Sequence, residues 1–292
     1  MSARASQPEA ADRRAAVVGS PVGHSLSPVL HHAAYQALGL TGWRYDRLEC
    51  DAGGLPALVA GLGPEWAGLS VTMPGKRAAL ALASEVTPRA AVVGAANTLV
   101  PTEQGWRADC TDVDGVLGAL RVAGGYQDQP GGHGLVLGAG GTASAALAAL
   151  PELGLYQATL VVREPARAGE AVACAERAGL KVTVLRWADV DLGALAAAAA
   201  VVVSTVPAEA TADCADQLAL APCLLDVIYH PWPTPVALAV HRRGGRLATG
   251  LDMLLHQAFG QVEQFTGQPA PRQAMRQALR AATGGALELP VD

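Results

Sequence analysis

The sequence is poor in aromatic side chains, in positive charge and in long apolar runs, and each shortage excludes a class of protein. Aromatic residues make up 4% of the 292 residues, so a core must use the aliphatic side chains that raise the hydrophobic content to 51%. The net charge of −5 and the pI near 5.8 argue against electrostatic binding to nucleic acid or to acidic membranes. The longest apolar candidate, residues 192–203, is too short to span a membrane, and residues 1–14 lack the apolar segment of a secretory signal.

Cysteine is also scarce, and its pattern shows no pairing. The five cysteines are an odd number without CxxC spacing, which argues against a disulfide framework and against a zinc site. We therefore predict no metal, reduced thiols and a cytoplasmic location. The cysteines are Cys50, Cys110, Cys174, Cys214 and Cys223.

Lysine is the rarest charged residue, since only two of the 21 lysines and arginines are lysines. One of them, Lys76, ends the segment Ser-Val-Thr-Met-Pro-Gly-Lys at residues 70–76. An ammonium can lose its proton when it is desolvated, whereas a guanidinium stays charged, so a retained lysine indicates proton transfer. The alternative is a solvated surface lysine, which is our interpretation of Lys181.

A glycine-rich turn is the clearest pattern that is present. Residues 135–137 form a short apolar strand, and Gly138, Gly140 and Ala143 follow in the spacing Gly-x-Gly-x-x-Ala before an alanine-rich helix. This order suits a dinucleotide pyrophosphate, because Gly138 permits the tight turn and Gly140 has no Cβ to block a phosphate. The helix N-terminus adds free amides for the anion. The alternative is an α/β domain with a glycine turn and no nucleotide.

Alternating strands and helices follow the glycine turn. Strands are predicted at residues 158–162, 182–185, 200–204 and 224–228, and a helix at 166–178. This alternation predicts a parallel, doubly wound sheet of the Rossmann-like kind. An alanine run at residues 196–200 is most simply helical.

The N-terminal part has the pattern of a separate α/β unit. A buried strand is predicted at residues 15–19, and Ser27 and Pro28 are typical of an N-cap and a first helical position. That helix should run to Leu38 and stop at Gly39. Further strands are predicted at 45–50 and 68–71, an interdomain connection at 124–134 and a helix from residue 251.

Four polar motifs lie outside the glycine-turn domain. They are Ser25 with Ser27, Thr72 with Lys76, Asn97 with Thr98, and Asp109 with Asp112. Each has a plainer explanation, because serines and aspartates cap helices and acidic residues favour a first helical turn.

Taken together, these motifs resemble those of the shikimate dehydrogenase family, in the family's order and over nearly the whole chain after Arg14. The matching segments are residues 19–28 (Gly-Ser-Pro-Val-Gly-His-Ser-Leu-Ser-Pro), 71–74 (Val-Thr-Met-Pro) with Lys76, 94–99 (Gly-Ala-Ala-Asn-Thr-Leu), 109–112 (Asp-Cys-Thr-Asp), 138–141 (Gly-Ala-Gly-Gly) and 250–254 (Gly-Leu-Asp-Met-Leu) with Gln257. Each segment is only modestly specific, but six in one order make coincidence very improbable.

The resemblance implies NADPH-dependent, reversible reduction of 3-dehydroshikimate to shikimate, in the pathway to aromatic amino acids, with Lys76 and Asp112 as the catalytic pair. Hydride delivery to a ketone builds alkoxide charge, which an ammonium can stabilise and protonate. Substrate contacts are implied at Ser25, Ser27, Thr72, Asn97, Tyr229 and Gln257. Contacts to NADP(H) are implied at Gly138, Ala139, Gly140, Gly141, Thr142, Ala143, Arg163, Arg167, Ser204, Thr205, Val227 and Gly250.

The resemblance also implies how the chain is divided. A substrate-binding domain is expected at residues 15–115, completed by C-terminal helices at 251–285, and a Rossmann-like NADP-binding domain at 116–250. The active site is then expected in the cleft between them. The expected partner is the small-molecule substrate, without nucleic acid or membrane, and a homodimer is the assembly left open.

The chain departs from the family pattern at the residues that select NADP. Where the family has Asn-Arg-Thr-x-x-x-Arg or a close variant of it, this chain has Val162, Arg163, Glu164 and then Arg167. Two guanidiniums suit a 2′-phosphate and no acidic residue ends the strand, which favours NADP. Glu164 either repels that phosphate or pairs with Arg167.

Two other functions stay open at this level. One is an NAD(P)-dependent quinate/shikimate or aminoshikimate dehydrogenase, which would share the fold and the Lys76–Asp112 pair. The other is a non-catalytic sensor of shikimate-pathway metabolites, against which the retained pair and the glycine turn argue. Ser70 and Cys110 stand where the family commonly has asparagine, and the change beside Asp112 bears on substrate choice.

Overall fold

The computed structural model describes residues 12–128, 130–285 and 287–291. Residues 1–11, part of the segment predicted to carry no secretory signal, lie outside the described residues. In the described part of the chain, no helix is both long and apolar enough to cross a membrane. Two six-stranded sheets organise the fold.

The first sheet mixes parallel and antiparallel pairs. Its strands are β1 (Arg13–Gly19), β2 (Trp43–Glu49), β3 (Trp66–Val71), β4 (Glu85–Val86), β5 (Thr98–Thr102) and β6 (Gly105–Asp109), in the order β2-β1-β3-β5-β6-β4. β1 pairs in parallel with β2 and β3, whereas β5 is antiparallel to β3 and β6. Because β1 and β3 are parallel neighbours, the loops that follow them leave the same edge of the sheet.

The second sheet is entirely parallel. Its strands are β7 (His133–Leu137), β8 (Gln157–Val162), β9 (Lys181–Arg186), β10 (Val201–Ser204), β11 (Cys223–Asp226) and β12 (Arg246–Thr249). They lie in the order β12-β11-β10-β7-β8-β9. The strand order reverses between β7 and β10, which is the arrangement of a doubly wound dinucleotide-binding sheet.

Helices cover both sheets. They are α1 (Ser27–Ala37), α2 (Leu55–Ala60), α3 (Lys76–Leu82), α4 (Pro88–Val93), α5 (Asp112–Gly118), α6 (Gly141–Ala149), α7 (Gly169–Arg177), α8 (Leu192–Ala198), α9 (Ala208–Thr211), α10 (Ala215–Leu218), α11 (Pro235–Arg242), α12 (Gly250–Thr266) and α13 (Arg272–Ala282). A π-helical turn, Ala119–Ala123, continues α5, and 3-10 turns lie at Leu150–Leu153, Pro165–Arg167, Trp187–Asp189 and Ala212–Cys214.

The cores are mainly aliphatic, in keeping with the few aromatic residues. On the first sheet, Leu255 of α12 and Met275 of α13 pack in one cluster with Leu30 of α1. On the second sheet, Leu147 of α6 belongs to one buried cluster and Val236 of α11 to another. The predicted fold class is therefore confirmed: two α/β units, with the C-terminal helices returning to the first.

Glycines bring α5 and α12 into close contact. A Cβ at Gly118 would lie 2.3 Å from the ring of His256, and one at Gly115 would lie 2.8 Å from a carbonyl oxygen of α12. Neither position has room for a side chain, so the two helices approach more closely than larger residues would allow. This approach brings Asp112 on α5 and Gln257 on α12 within reach of one asparagine.

Ser27 is not the N-cap that the sequence predicted. It is the first residue of α1, and the N-cap position, Leu26, makes no side-chain capping bond. The hydroxyl of Ser27 instead accepts a hydrogen bond from Ser25 at 3.2 Å. The other end of the helix is as predicted, with Gly39 in a left-handed conformation at φ 72°.

Some elements differ in extent or were not predicted. The strand predicted at 224–228 ends at Asp226, and the helix predicted through 200 ends at Ala198, where the chain turns into β10. The helix predicted from residue 166 starts at Gly169, after a 3-10 turn. The hairpin of β5 and β6 and the edge strand β12 were missed because they are short and mix polar with apolar residues.

His31 is a fully buried histidine under the first sheet's core. Its ring stacks on Tyr45 with centroids 3.9 Å apart and planes at 14°. Burial lowers the pKa of His31 from 6.5 to about 3, so the folded protein keeps the ring neutral where the unfolded chain binds a proton. The contribution of the neutral His31 ring to the free energy of unfolding is fully present above pH 6.5 and is lost as the pH falls toward 3.

We expect His31 alone to reduce the free energy of unfolding by roughly 2 kcal/mol between pH 8 and pH 5. His31→Gln, whose side chain does not titrate, should lose this part of the pH dependence in urea unfolding experiments. The control is His241→Gln, at an exposed position of α11, which should keep it. Equal pH slopes for the wild type and His31→Gln would contradict the assignment.

Candidate active site

A cavity of about 250 Å³ lies between the two sheets. The loops after β1 and β3 and the starts of α3, α5 and α1 form one side, and Thr142 of α6 and the loop after β11 form the other. The cavity brings together all eight residues predicted for catalysis and substrate binding. They are Ser25, Ser27, Thr72, Lys76, Asn97, Asp112, Tyr229 and Gln257.

Lys76 and Asp112 form an ion pair in this cavity. Lys76 opens α3 after Gly75, and its ammonium bonds to Oδ2 of Asp112. The two side chains are 18% and 7% exposed, so water screens the pair weakly. Burial would lower the pKa of Lys76, but the charge and hydrogen bond of Asp112 outweigh burial and raise the pKa above its usual value. Lys76 is therefore an ammonium at neutral pH, and desolvation does not release its proton as the sequence suggested.

Asn97 links the ion pair to α12. Its Nδ2 donates to Oδ1 of Asp112 at 2.9 Å and to Oε1 of Gln257 at 3.1 Å. Its Oδ1 accepts from the backbone amide of Thr111 at 2.8 Å, which fixes the orientation of the amide. Asp112 is thus bound on one oxygen by a cation and on the other by an amide, and both bonds are shielded from water.

Asp109 supports the site from outside the cavity. Its carboxylate accepts hydrogen bonds from Arg89 and Thr87, each at 2.6 Å, and from Gln264 at 2.7 Å. Burial would raise the pKa of Asp109, but the bonds from Arg89 and Thr87 lower it to about 2. These bonds fix the end of β6, from which the chain enters α5 at Asp112.

Ser25 and Ser27 line the cavity at the start of α1. The backbone amide of Ser27 donates to Oγ of Ser25 at 3.3 Å. Arg47 of β2, which the sequence analysis did not single out, donates to the carbonyl of Ser25 at 3.0 and 2.6 Å. Two hydroxyls at a helix N-terminus, with a guanidinium behind them, suit a carboxylate.

Glycines make room for Thr72 and Tyr229 in the cavity wall. A Cβ at Gly19 would lie 2.3 Å from Cγ2 of Thr72. One at Gly250 would lie 3.0 Å from the ring of Tyr229 and 2.1 Å from the carbonyl oxygen of Val227. Any larger residue at these two positions would displace the wall.

Ser70 and Gln261 also line the cavity, although neither was predicted as a site residue. Tyr45, behind the wall, donates its hydroxyl to Oγ of Ser70 at 2.6 Å, and Ser70 donates to Oε1 of Gln261 at 2.7 Å. A signal existed for each lining residue. Gln261 follows Gln257 by four residues and so shares its helix face, and Ser70 replaces a common asparagine.

A second cavity, of about 720 Å³, lies at the carboxyl ends of β7, β8 and β10. This place, next to the reversal of strand order, is where doubly wound sheets bind ligands. The predicted cofactor residues that line it are Gly138, Ala139, Gly140, Arg163, Arg167 and Thr205. Trp187, Glu164 and Glu209 line it as well.

The glycine turn fits a dinucleotide phosphate. Gly138 has a φ of 99°, and a Cβ there would lie 2.6 Å from Oγ1 of Thr205. No atom lies within 4 Å of the Cβ position at Gly140, so the backbone is open to a ligand there. The amides at the start of α6 and the guanidiniums of Arg163 and Arg167 supply positive charge for phosphates.

The two cavities meet at the start of α6. Thr142, Val227 and Gly250, predicted as cofactor contacts, line the first cavity rather than the second. A Cβ at Gly141 would lie 3.7 Å from Cδ of Lys76. The glycine turn therefore borders the lysine of the substrate cavity directly.

Three predicted cofactor residues, Gly141, Ala143 and Ser204, line neither cavity. Ala143 is fully buried in the core beneath α6. Ser204 is fully buried at the end of β10, where the chain is paired on both sides, by β7 and β11. The side chains of Ala143 and Ser204 therefore face neither cavity, and their contact with the dinucleotide stays a prediction.

Glu164 does not pair with Arg167 through their side chains. The ion pairs within the described chain do not include these two residues, and the amide of Arg167 instead donates to the carbonyl oxygen of Glu164 at 3.0 Å. The carboxylates of Glu164 and Glu209 face the same cavity as the two arginines. A phosphate there would meet both attraction and repulsion.

The five cysteines belong to no cluster of potential metal ligands among the described residues. All five are free thiols, and no group of three or more His, Cys, Asp or Glu side chains in the described chain could hold a metal ion. Burial raises the pKa of Cys110, so this thiol beside Asp109 and the Lys76–Asp112 ion pair stays protonated.

The sequence matches two family models and a curated relative. Residues 17–99 match the shikimate dehydrogenase substrate binding domain, and residues 250–280 match the shikimate 5'-dehydrogenase C-terminal domain. A protein of Methylobacterium radiotolerans named shikimate dehydrogenase (NADP(+)) is 36% identical over 266 residues, which cover 89% of this chain and 93% of that protein.

Solved structures give the same result. The shikimate dehydrogenase of Mycobacterium tuberculosis is 55% identical with a TM-score of 0.86, covering 92% of this chain and 99% of its own. The quinate dehydrogenase of Corynebacterium glutamicum, in complex with NAD, is 27% identical with a TM-score of 0.81, over 92% of this chain and 99% of its own. The cavity residues, the matched models and the relatives agree, and the chain belongs to the shikimate dehydrogenase family.

Proposed function

We propose that this protein catalyses the NADP-dependent, reversible reduction of 3-dehydroshikimate to shikimate, a step of aromatic amino acid biosynthesis. The observation that carries the proposal is the Lys76–Asp112 ion pair at the junction of the two cavities, beside Gly141. A proton donor, groups for a hydroxylated ring and a dinucleotide cavity meet at one place. Hydride transfer to a ketone requires this combination.

Lys76 is the proposed acid and base of the reaction. NADPH, held along the second cavity, would supply the hydride to the ketone carbon. The ammonium of Lys76 stabilises the charge that develops on the ketone oxygen and donates a proton to that oxygen. For shikimate oxidation Lys76 accepts the proton from the hydroxyl, and it must be neutral to do so.

Asp112 holds Lys76 and also faces the substrate. Its two oxygens bind Lys76 and Asn97, and their remaining lone pairs can accept from a ring hydroxyl. Thr72 and Gln257 add neutral polar groups to the same wall, which suits a polyhydroxylated ring.

The substrate carboxylate is assigned to the start of α1. Ser25 and Ser27 line this end of the cavity, and Arg47 brings positive charge behind them through its bonds to the carbonyl of Ser25. Tyr229 faces the cavity from the other sheet. A carboxylate at Ser25 and a ketone at Lys76 would fix both ends of the ring.

The proposed division of the chain follows the two sheets. Residues 15–115 with 251–285 would bind the substrate, and residues 116–250 would bind NADP(H). Arg163 and Arg167 favour NADP, as does the name of the curated relative, whereas Glu164 opposes a 2′-phosphate. The five free thiols suit the cytoplasm, which is the location we propose.

An NAD-dependent quinate dehydrogenase is the second candidate. The carboxylates of Glu164 and Glu209 in the second cavity favour it, as does the similarity to a quinate dehydrogenase in complex with NAD. An aminoshikimate dehydrogenase would use the same catalytic pair. A sensor without activity has no need of a lysine between two cavities. Two predictions about partners stay predictions: that the protein binds no nucleic acid, and that it forms a homodimer.

Steady-state kinetics with shikimate and quinate against NADP and NAD test the assignment. We expect the highest kcat/KM for shikimate with NADP, by about tenfold or more over each other pair of substrate and cofactor.

Arg163→Ala should lower kcat/KM for NADP about tenfold and change kcat/KM for NAD little, because only NADP carries a 2′-phosphate. Glu164→Thr should increase the preference for NADP. A higher kcat/KM for quinate with NAD would establish the second candidate, and no turnover at all would support the sensor.

Lys76→Ala should lower kcat for shikimate oxidation by roughly 10²- to 10⁴-fold, with a much smaller change in KM. The charge of Lys76 matters most in the transition state, which is why kcat carries the loss. Absorbance of NADPH measures the rate. Lys181→Ala, at an exposed position of β9, is the matched control and should behave as wild type. A loss confined to KM would rule out the proposed role.

The rate of shikimate oxidation should rise with pH through the neutral and alkaline range. The proton acceptor is the neutral amine of Lys76, and the raised pKa of Lys76 makes this form scarce at pH 7, with a tenfold loss per unit of falling pH. Asp112→Asn removes the charge that raises the pKa, so the rising limb should move to lower pH. The measurement is kcat/KM against pH for both proteins, and an unmoved limb would count against the pairing.

A further inference from the structure

Tyr45 of β2 lies directly behind the wall of the substrate cavity. It is 1% exposed, and its ring is held against the neutral imidazole of His31 at a centroid distance of 3.9 Å. Its hydroxyl donates to Oγ of Ser70 at 2.6 Å, and Ser70 lines the cavity. Tyr45 does not line the cavity itself, and its hydroxyl reaches the wall through the bond to Ser70.

The directions of the hydrogen bonds from Tyr45 to Ser70 and from Ser70 to Gln261 follow from the partners of Gln261. Nε2 of Gln261 lies 3.0 Å from the backbone carbonyl oxygen of Asn97, which can only accept, so Oε1 of Gln261 faces Ser70. Oε1 can only accept as well, so the hydroxyl of Ser70 must donate to it. The single hydrogen of Ser70 is then used, and Tyr45 must be the donor to Ser70.

The donor role of Tyr45 does not change with pH in the range of activity. Burial raises the pKa of Tyr45 well above its usual value, and the hydrogen bonds with Ser70 and Ser27 oppose this only in part. The phenol keeps its hydrogen. One of the two lone pairs of Ser70 is occupied by that hydrogen, which leaves one lone pair and no hydrogen for a ligand.

We propose that Tyr45 is a positioning residue which, together with Gln261, presents Ser70 to the substrate as a hydrogen-bond acceptor only. The inference rests on the proposed function and adds an orientation to it. A carboxylate has no hydrogen to donate, and the reacting oxygen is a ketone in one of the two substrates. Ser70 therefore receives a ring hydroxyl that does not react, while the reacting oxygen lies toward Lys76.

This arrangement selects substrates by what they can donate. A compound that carries a ketone, a fluorine or a hydrogen in place of that hydroxyl leaves the lone pair of Ser70 without a partner in a buried wall. A site built to bind a hydroxyl in this way rejects analogues that lack the group. Arrangement of the wall by Tyr45 and Gln261 would then be a determinant of specificity, although Tyr45 touches no substrate.

A double-mutant cycle tests whether Tyr45 acts through Ser70. Tyr45→Phe removes only the hydroxyl and should lower kcat/KM for shikimate about fivefold. In the S70A background the same change should have less than about a twofold effect, because the group it positions is gone. Tyr35→Phe is the matched control: it removes a buried hydroxyl that lies 3.5 Å from Nδ1 of the same His31, and Tyr35 does not line the cavity. It should change kcat/KM less than about twofold in both backgrounds.

Shikimate analogues with single ring hydroxyls replaced by fluorine supply the second readout. For one of them the wild type should show a loss in kcat/KM of about tenfold or more, and S70A should reduce that loss to about twofold. Equal effects of Tyr45→Phe in both backgrounds, or losses that S70A does not change, would overturn the inference. If Tyr45→Phe does not fold, S70A with the same analogues still decides. If the wild type oxidises shikimate but the effects of the two substitutions are additive, this inference alone is refuted. If the wild type is inactive with shikimate, the proposed function is refuted.

Discussion

A buried ion pair is the constraint on which the rest of the site depends. Two charges removed from water are stable only where further hydrogen bonds satisfy their remaining atoms. Asn97 supplies such a bond to Asp112, and the Arg89–Asp109 network fixes the strand end from which Asp112 follows. The glycines of α5 allow α12 to come close enough for Gln257 to bind the same asparagine. Much of the polar pattern between residues 87 and 112 therefore keeps one lysine and one carboxylate in contact.

The features that the sequence predicted well are those encoded within a few residues. The glycine turn, the left-handed Gly39 and the apolar strands of the second sheet each depend on local backbone preference or on a continuous apolar run. All eight residues expected for catalysis and substrate binding line one cavity. We expected these residues to meet in one cavity because of the resemblance to a known family. Hydrophobic periodicity alone does not tell which loops meet at one edge of a sheet.

The features that the sequence did not predict depend on contacts between distant residues. Ser70 and Gln261 are separated by 191 positions. Tyr45 of β2 is held behind the wall by the ring of His31 from α1. Ser204 and Ala143 were assigned to the cofactor by motif, but the sheet and helix packing turns both side chains into the core. Ser27 begins its helix instead of capping it because its hydroxyl bonds with Ser25. In each case a tertiary partner decides what the side chain does.

Within the described residues the chain passes between the two sheets twice, once from β6 through α5 to β7 and once from β12 into α12. The two passages pack against each other where Gly118 meets His256. The covalent links between the two sheets are therefore concentrated in one place, where the helices α5 and α12 also pack together. The exposed hydrogen bond from Nε of Arg177 in α7 to the carbonyl oxygen of Val92 in α4, at 2.9 Å, adds a further link between the two units, and it is not covalent.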